Sequence, residues 1–384
     1  MEKFEFISPT KLYFGKDCYY NIAEILDSYN YKNIAFIYGK SSIKKIGLYD
    51  KVKELLAKYN VYEIEGVEPN PKLSLIIKAK DYLKDKNIDV ILAVGGGSVI
   101  DSAKLLSHCM YYDGNPFDYI KKEVVNNNPL PVFTILTISA SGSELSDSCV
   151  ITNDLVTPYI KQGFNSDTNR PKVSYLDPTL TYSVSKFQTG CGIVDIMMHT
   201  FERYFNYHDD CYLSESFGIG VLKTVLHYGK IAINNPNDYE ARAEIMLASS
   251  YSHNGLTGLG KKQMMRVHGL EHVLSGFYDN IAHGEGLSIL FPAWCRYIKD
   301  DTKANMLMRK LGKELFDVDD ADGFINHLEQ YYRDIGMPTR FSDINIDHDI
   351  EKMALFYSNN KTKVIKDFKD LDYQAFKEIY KLGM

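Results

Sequence analysis

The sequence predicts two domains of different fold class: an α/β domain with a parallel sheet over residues 1–183, then an all-helical domain over residues 184–384. A chain of 384 residues suits two domains of ordinary size. In the first half, short apolar segments alternate with segments whose apolar residues recur at helical spacing, which is typical of a parallel sheet covered by helices. In the second half the helical period persists and strand-like alternation nearly disappears.

The elements of the first half follow one another in strand–helix order. Strands are expected at 32–39, 61–67, 89–95 and 131–138, and helices at 49–59, 73–84 and 99–111. Pro178 and the turn-forming residues of segment 176–187 interrupt the pattern, which places the domain boundary there. Helices are then expected within 187–206, 215–233, 239–255 and 303–316. A cleft between the two domains is the expected ligand site.

Composition and charge exclude several classes of protein. The chain carries 44 basic and 50 acidic side chains, a net charge of −6, and no basic run, so a nucleic-acid partner is not expected. No apolar run approaches the roughly 20 residues of a membrane helix, and the first residues lack the pattern of a signal peptide. The six cysteines show no C-x-x-C spacing and are expected to be reduced thiols. We therefore expect a cytoplasmic, soluble enzyme or binding protein without a membrane partner.

The segment "DVILAVGGGSVIDSAK" (89–104) runs from an apolar strand through Gly95, Gly96, Gly97 and Ser98 into an amphipathic helix. A helix N-terminus offers N–H groups and the positive end of the helix dipole, a combination that binds phosphate. The absent Cβ atoms would let a pyrophosphate approach the backbone. The segment matches neither G-x-G-x-x-G nor a Walker A loop, and it could also be a tight turn without a ligand.

A second strand runs into small, hydroxyl-bearing residues in "TILTISASGSELS" (134–146). Two such turns at the carboxyl ends of parallel strands could flank one cofactor. A serine-rich loop that caps a helix is the alternative for this segment alone. Together the two turns favour a dinucleotide and a Rossmann-like first domain.

Histidines and one aspartate of the second half show a spacing that suits a metal ion. Asp195 and His199 are four residues apart, His268 and His272 are four residues apart, and His283 follows. Residues four apart lie on one helix face, and one carboxylate with two or three imidazoles suits Zn²⁺ or Fe²⁺. "VHGLEH" is not the H-E-x-x-H motif of metalloproteases. The other histidines have no such partners and are expected to be structural: His108, His208, His227, His253, His327 and His348.

A nicotinamide cofactor and a divalent cation have complementary chemistry. A nicotinamide exchanges hydride but does not polarise a substrate oxygen, whereas a divalent cation does so and lowers the barrier to hydride transfer. The two halves of the sequence therefore indicate a metal-dependent dehydrogenase.

Six segments of the chain resemble the iron-containing (group III) alcohol dehydrogenases, in particular the butanol dehydrogenase-like branch. They are "YGKSSIKKIGLYD" (38–50), "GGGSVIDSAK" (95–104), "TISASGSELSDSCVITN" (137–153), "LDPTLTY" (176–182), "GIVDIMMHTFERYF" (192–205) and "VHGLEHVLSGFYDNIAHGEGLSILFP" (267–292). The resemblance implies a dinucleotide domain followed by a helical metal domain, a homodimer, and the interconversion of small primary alcohols and aldehydes such as butanol and butanal.

The resemblance also implies roles for individual residues. The metal ligands would be Asp195, His199, His268 and His283, while His272 would be a catalytic group that relays a proton or positions the substrate. Lys161 and Tyr182 match positions near the nicotinamide ribose. The full set of cofactor-binding residues would be Gly39, Ser41, Ser42, Gly95, Gly96, Gly97, Ser98, Asp101, Thr137, Ser141, Ser143, Lys161 and Tyr182.

The residues at the end of the first predicted strand indicate which cofactor is preferred. Relatives restricted to NAD carry an acidic residue there, which repels a 2′-phosphate. This chain has Gly39, followed by Lys40, Ser41 and Ser42, whose cation and hydroxyls could bind the phosphate. We therefore expect NADP(H) to be preferred over NAD(H). The ligand set suits iron and zinc alike.

Three other functions remain open at this stage. A glycerol dehydrogenase-like polyol oxidoreductase would have the equivalents of Asp195, His268 and His283 but not of His199. A lyase of the dehydroquinate synthase type would need a cluster of basic residues, and only Arg203 and Arg266 lie near the ligand segments. A non-catalytic nucleotide-binding protein would bind the dinucleotide without a metal.

Overall fold

The computed structural model describes residues 1–208, 211–344 and 349–384, so that His348 lies outside the described residues. The chain forms two compact units. We call Ile7–Val184 with Pro236–Asn254 the sheet unit, and Met1–Phe6, Ser185–Asn235 and Gly255–Met384 the helical unit. The predicted fold class, an α/β unit with a parallel sheet and an all-helical unit, is confirmed.

The sheet unit is built on a six-stranded parallel sheet. Its strands are β1 (Lys11–Phe14), β2 (Asn33–Gly39), β3 (Asn60–Val67), β4 (Val90–Gly95), β5 (Val132–Leu136) and β8 (Val173–Leu176). They lie in the order β1-β8-β5-β4-β2-β3, and every neighbouring pair is parallel. β6 (Ser148–Asn153) and β7 (Ile160–Asn165) form a separate antiparallel hairpin. The chain leaves β2 toward β3 and then returns to β4 on the other side of β2, so the topological switch point lies between β2 and β4.

Helices cover both faces of the sheet because successive residues of the central strands point to opposite sides. The helices of this part are α1 (Ile22–Ser28), α2 (Ser42–Lys45), α3 (Leu48–Leu55), α4 (Leu73–Leu83), α5 (Gly97–Cys109) and α6 (Phe117–Ile120). Ile91 and Ala93 of β4 belong to the apolar cluster that contains α4 and α5, while Leu92 and Val94 belong to the cluster that contains α1 and α3. β4 is therefore buried on both faces.

The remaining helices follow the sheet in the chain. They are α7 (Lys186–Tyr204), α8 (Tyr212–Asn234), α9 (Tyr239–His253), α10 (Arg266–Phe277), α11 (His283–Ile298), α12 (Thr302–Phe316), α13 (Ala321–Asp334), α14 (Ile350–Tyr357) and α15 (Tyr373–Leu382). All of them except α9 belong to the helical unit. Among the described residues, no helix combines the length and the apolar character that crossing a membrane requires.

The structure differs from the sequence-based expectation at several elements. β1 and β8 have only four residues each, too few for an alternation to be recognised, and half of the residues in the strands of the β6–β7 hairpin are polar. The expectation also placed every residue from 184 onwards in one helical domain, whereas α9 belongs to the sheet unit. There, Ser250 of α9 donates a hydrogen bond of 2.5 Å to the buried carboxylate of Glu144. Helical periodicity identifies a helix but not the surface against which it packs.

Candidate metal centre and cofactor-binding loops

α7 carries the first two predicted metal ligands. The Ser185 side chain caps the helix by accepting a hydrogen bond from the backbone N–H of Gln188, and every residue from Thr189 to Tyr204 is buried. Asp195 and His199 lie one turn apart, with 3.6 Å between Asp195 Oδ1 and His199 Nδ1. A carboxylate and an imidazole are thus held side by side in the interior of the helical unit.

Two further helices bring imidazoles to the same carboxylate oxygen. His268 lies in the first turn of α10, and its Nε2 is 3.6 Å from Asp195 Oδ1. His283 is the first residue of α11, and its Nε2 is 3.7 Å from that oxygen. The family resemblance implied these four ligands together, and in the structure the three imidazoles approach one oxygen atom of Asp195.

Gly284 allows α11 to start this close to α7. A Cβ atom at Gly284 would lie 2.3 Å from the carbonyl oxygen of Cys191 on α7, a distance that real side chains do not reach. The Glu285 side chain reaches back to accept a hydrogen bond of 3.1 Å from the backbone N–H of Ala282, which fixes the start of α11. The glycine after His283 therefore has a packing role that supports the ligand set.

Ligand atoms of Asp195, His199 and His268 lie within 4.8 Å of one another, and the distances from Asp195 Oδ1 to the three imidazoles suit a divalent cation. Two donor atoms that are each about 2.1 Å from one tetrahedral ion lie about 3.4 Å apart, close to the separations of 3.6 and 3.7 Å observed here. Asp195 Oδ1 and His268 Nε2 are buried and make no hydrogen bond within the described part of the chain. Buried polar atoms without partners are unfavourable, and a cation would satisfy both of them.

The sequence analysis missed two buried carboxylates, Glu202 and Glu271, which we call the outer carboxylates. Glu202 Oε2 contacts the Nδ1 atom of His268, and Glu271 Oε2 contacts the Nδ1 atom of His283. Their spacing offered a signal, because each lies three residues after a predicted ligand, in "HTFE" and "HGLE". Acidic residues are common on helices, however, and only the packing of neighbouring helices shows which histidine each one meets.

The outer carboxylate Glu202 alters the acid–base behaviour of the ligand His268. Burial by itself lowers the pKa of His268, but the negative charges of Glu202 and Asp195 outweigh burial and raise that pKa to about 9. A cation that binds at His268 Nε2 therefore competes with a proton for this nitrogen.

His272 lies beside the ligand set, one turn after His268. Its ring centroid is 5.8 Å from that of His283 and 6.5 Å from that of His268, and its side chain is partly exposed. One ligand atom each from Glu271, His272 and His283 lie within 4.8 Å of one another. The catalytic role of His272 stays a prediction.

In the sheet unit, the three glycines after β4 are required by the chain's own packing. A Cβ atom would lie 2.5 Å from Val99 Cγ2 if added at Gly95, 2.3 Å from Ile138 Cγ2 at Gly96, and 2.2 Å from Ser141 Oγ at Gly97. The chain's own packing is thus a reason for the absent Cβ atoms, and the approach of a pyrophosphate to this backbone stays a prediction. Gly97 and Ser98, which open α5, are partly exposed.

The loop after β5 is tied to the glycine turn by hydrogen bonds. The Thr137 N–H donates to the Gly95 carbonyl at 3.1 Å, and the Ser143 N–H donates to Ser141 Oγ at 3.4 Å. Asp101 of α5 accepts a bond of 2.5 Å from the Ser143 hydroxyl through Oδ1 and one of 2.9 Å from the Val150 N–H through Oδ2. In this structure Asp101 joins α5 to the loop and to β6; its contact with a cofactor stays a prediction.

The residues after β2 lie at the other side of the switch point. β2 ends at Gly39 and α2 begins at Ser42, while the glycine turn follows β4, so both predicted cofactor segments flank the position where open α/β sheets bind dinucleotides. A carboxylate that the sequence analysis missed lies here as well. Glu68, which follows β3, forms an ion pair of 2.5 Å with Lys40.

The last two predicted cofactor residues belong to other segments of the sheet unit. Lys161 is in β7 opposite Thr152 of β6. Tyr182 follows β8 after a short 3₁₀ turn and is partly buried, and burial followed by the neighbouring Tyr239 raises its pKa. Their placement near a nicotinamide ribose stays a prediction.

Comparison with known proteins identifies the family. Residues 9–178 match the family described as iron-containing alcohol dehydrogenase, and residues 189–383 match its C-terminal domain. NADH-dependent butanol dehydrogenase A of Clostridium acetobutylicum is 37% identical, covering 99% of both chains, and the NADPH-dependent aldehyde reductase YqhD of Escherichia coli is 30% identical, covering 90% of both. The crystal structure of NADH-dependent butanol dehydrogenase A from Thermotoga maritima superposes with a TM-score of 0.93 at 34% identity, covering 100% of this chain and 99% of the other. The chain therefore belongs to the iron-containing alcohol dehydrogenase family, in its butanol dehydrogenase-like branch, and is an oxidoreductase that depends on a nicotinamide cofactor.

Proposed function

We propose that the protein is a metal-dependent alcohol dehydrogenase and aldehyde reductase that interconverts small primary alcohols and aldehydes, butanol and butanal among them, with NADP(H). The observation that carries this proposal is the convergence of three imidazoles on the buried Oδ1 atom of Asp195 at 3.6 to 3.7 Å. The activities named for the relatives, a butanol dehydrogenase and an aldehyde reductase, support the substrate class.

The residues that would hold the cation are Asp195, His199, His268 and His283. A bound Fe²⁺ or Zn²⁺ supplies Lewis-acid polarisation of a substrate oxygen, and the nicotinamide supplies or accepts the hydride. Asp195 contributes the negative charge of the set, and the imidazoles contribute neutral nitrogen donors. The burial of Asp195, His199 and His268 excludes water around these atoms and strengthens their electrostatic interactions.

His272 would handle the proton of the reaction. An imidazole titrates near neutral pH, and the partly exposed ring of His272 lies beside the ligand histidines. It would release the alcohol proton to solvent at one of its ring nitrogens, and return a proton in the reducing direction. Substitution of His272 by Asn should therefore lower kcat and flatten its pH dependence while metal content stays unchanged.

The preference for NADP(H) is supported by Gly39, Lys40 and the hydroxyls of Ser41 and Ser42, since no carboxylate follows β2 directly. The ion pair between Lys40 and Glu68 opposes this preference, because Glu68 competes with a 2′-phosphate for Lys40. Glu68→Gln should raise the ratio of kcat/KM for NADPH to that for NADH about two- to fivefold, the range of an exposed ion pair. Glu54→Gln, which removes the 3.0 Å pair with Lys51 on α3, is the matched control. A wild-type enzyme faster with NADH, unaffected by Glu68→Gln, would refute NADP(H) as the preferred cofactor.

His199 favours this function over a glycerol dehydrogenase-like activity, because that enzyme would lack the imidazole held 3.6 Å from Asp195. The lyase alternative lacks its basic cluster among the ligand segments: Arg203 is buried and donates a bond of 2.7 Å to the His199 carbonyl, and Arg266 donates to the Lys366 carbonyl. We further propose a homodimer, on the family resemblance, and a cytoplasmic location, supported by six cysteines that form no disulfide.

The deciding experiment combines elemental analysis of anaerobically purified protein with NADPH and NADH oxidation in the presence of aldehydes of two to eight carbons. About one Fe or Zn per chain and turnover of short aldehydes support the proposal. Metal-replete protein that oxidises neither cofactor with any of these aldehydes would refute it, and tight NADPH binding without metal would favour a non-catalytic nucleotide-binding protein.

A further inference from the structure

Each outer carboxylate joins two of the helices that carry metal ligands. Glu202 is on α7 and contacts His268 of α10, whereas Glu271 is on α10 and contacts His283 of α11. Both carboxylates are buried, with exposed fractions of 1% and 0%. The three ligand helices are therefore connected in series by carboxylate–imidazole contacts.

Glu202 makes a second set of contacts that fixes the start of α10. It accepts hydrogen bonds from the backbone N–H groups of Val267 at 2.5 Å and His268 at 3.4 Å, both in the first turn of the helix. These N–H groups have no partner within a helix, and the helix dipole favours a negative charge at this end. One side chain thus fixes both the backbone and the ring of His268.

Glu271 is held in a comparable way by its own helix. The hydroxyl of Ser275, one turn further along α10, donates a hydrogen bond to Glu271 Oε1, which leaves Oε2 for the Nδ1 atom of His283. A Cβ atom at Gly286 would lie 2.9 Å from Glu271 Cγ, so α11 packs closely against this side chain. The carboxylate has little freedom to turn away from His283.

A carboxylate at Nδ1 determines the tautomer of a ligand histidine. When Nδ1–H donates to the carboxylate, the lone pair is on Nε2, and in both His268 and His283 it is Nε2 that lies nearest Asp195 Oδ1. Hydrogen bonding of the outer nitrogen also fixes the ring orientation and increases the basicity of the ligand atom. Loss of the carboxylate would leave both the tautomer and the ring orientation undetermined.

We propose that Glu202 and Glu271 are positioning residues that organise the metal centre before the ion binds, and that they set its metal affinity. This inference rests on the proposed metal site. Substitution of either residue by Gln should weaken metal binding by about 10- to 100-fold, the range known for partners of ligand histidines. Glu202→Gln should have the larger effect, because one amide oxygen cannot accept from both the His268 ring and the Val267 N–H.

The test measures the Kd of the metal-free full-length protein for Zn²⁺ by competition with a chelator, together with the visible absorption of the Co²⁺-loaded protein, which reports ligand geometry. The variants are Glu202→Gln, Glu271→Gln and Glu215→Gln. Glu215 is the matched control: it is a buried carboxylate on α8 that pairs with Lys310 at 2.8 Å and Lys261 at 3.6 Å. Wild type and Glu215→Gln should share one Kd and one Co²⁺ spectrum, whereas the other two variants should show a higher Kd and altered bands.

Ser275→Ala keeps the carboxylate and removes only its support, so it protects the test against a variant that fails to fold. We expect this variant to fold and to raise the Zn²⁺ Kd by a smaller factor than Glu271→Gln. Unchanged affinity and unchanged Co²⁺ spectra in folded Glu271→Gln and Ser275→Ala would overturn the inference. A wild-type protein that binds neither Zn²⁺ nor Co²⁺ would instead overturn the metal centre itself.

Discussion

In both the metal centre and the glycine turn, glycine permits close packing, but the two sites differ in whether side chains or backbone groups carry the predicted chemistry. At both places a missing Cβ permits a close approach, of α11 to Cys191 at Gly284 and of the β5 loop to Gly96. In the metal centre, however, the chemistry lies in side-chain atoms, of which Asp195 Oδ1 and His268 Nε2 are buried and make no hydrogen bond within the described residues. In the turn, the predicted chemistry lies in backbone N–H groups, while the nearby side chains of Asp101 and Ser143 bond to each other. The comparison shows that side-chain chemistry can be inferred from spacing, whereas a backbone site is shaped by residues distant in sequence.

The largest effect is expected at the oxygen atom that the three imidazoles share. Asp195→Asn keeps the shape of the side chain but removes its charge, so metal binding should be lost and kcat/KM should fall on the order of a thousandfold, since a metal ion contributes several kcal/mol to the transition state. Elemental analysis and steady-state kinetics measure the two effects. His227→Gln, at an exposed histidine of α8, should change neither. Full metal content in Asp195→Asn would disprove the ligand set.

A second test contrasts a histidine of the sheet unit with those of the metal centre. His108 of α5 is buried between the rings of Tyr119 and Phe164, and burial lowers its pKa to about 4, whereas carboxylates raise that of His268. The folded pKa of His108 is below its unfolded value of 6.5. Its contribution to the free energy of unfolding is therefore complete above pH 6.5 and is lost as the pH falls toward 4.

For His108 alone, the expected decrease in the free energy of unfolding between these pH values is about 3 kcal/mol. Urea unfolding of wild type and His108→Leu between pH 7 and pH 4 measures it, and the variant should show the flatter dependence on pH. Equal slopes would show that the pKa of His108 is the same in the folded and unfolded states, contrary to this expectation.

The packing role of the glycine turn is tested by a single methyl group. Gly96→Ala places a Cβ 2.3 Å from Ile138 Cγ2, so it should destabilise the protein by about 1–3 kcal/mol through overpacking. Gly220→Ala is the matched control, because a Cβ added at this position in α8 meets no heavy atom within 4 Å. This variant should be more stable than the wild type by about 0.5–1 kcal/mol. Chemical denaturation distinguishes the two signs. If Gly96→Ala left the free energy of unfolding unchanged but weakened NADPH binding, the absent Cβ would instead be explained by the close approach of a phosphate.

The smallest effect concerns the contact between α9 and the rest of the sheet unit. Ser250→Ala removes the hydrogen bond to Glu144, whose pKa burial raises, and should lower the free energy of unfolding by about 1 kcal/mol. Ser216→Ala, at an exposed serine of α8 that bonds the Tyr212 carbonyl, should cost less. If Ser250→Ala were neutral, Glu144 would not contribute to the attachment of α9.

Much of the fold and the types of ligand could be predicted because they depend on local periodicity, whereas the choice of His283 instead of His272 as a ligand came from the family resemblance. The alternation of strands and helices is written in the apolar pattern, and Asp195 with His199 and His268 with His272 occur at the spacing of one helix turn. Glu202, Glu271 and Glu68 could not be predicted in the same way. Each acts on a residue of a neighbouring helix or strand, and no short segment of sequence contains both partners.

The sequence by itself determined the strands β2 to β5 with the helices between them, the ligand types and the net charge of −6, because these follow from composition and short-range spacing. It indicated the family through the six segments that resemble it. Only the tertiary structure decided which histidine each carboxylate fixes, that α9 packs with the sheet, and that protein atoms fill the space beside the glycines. The physical reason is that packing between helices and between neighbouring strands joins residues 40 with 68, 202 with 268, and 144 with 250, and such contacts depend on the path of the whole chain.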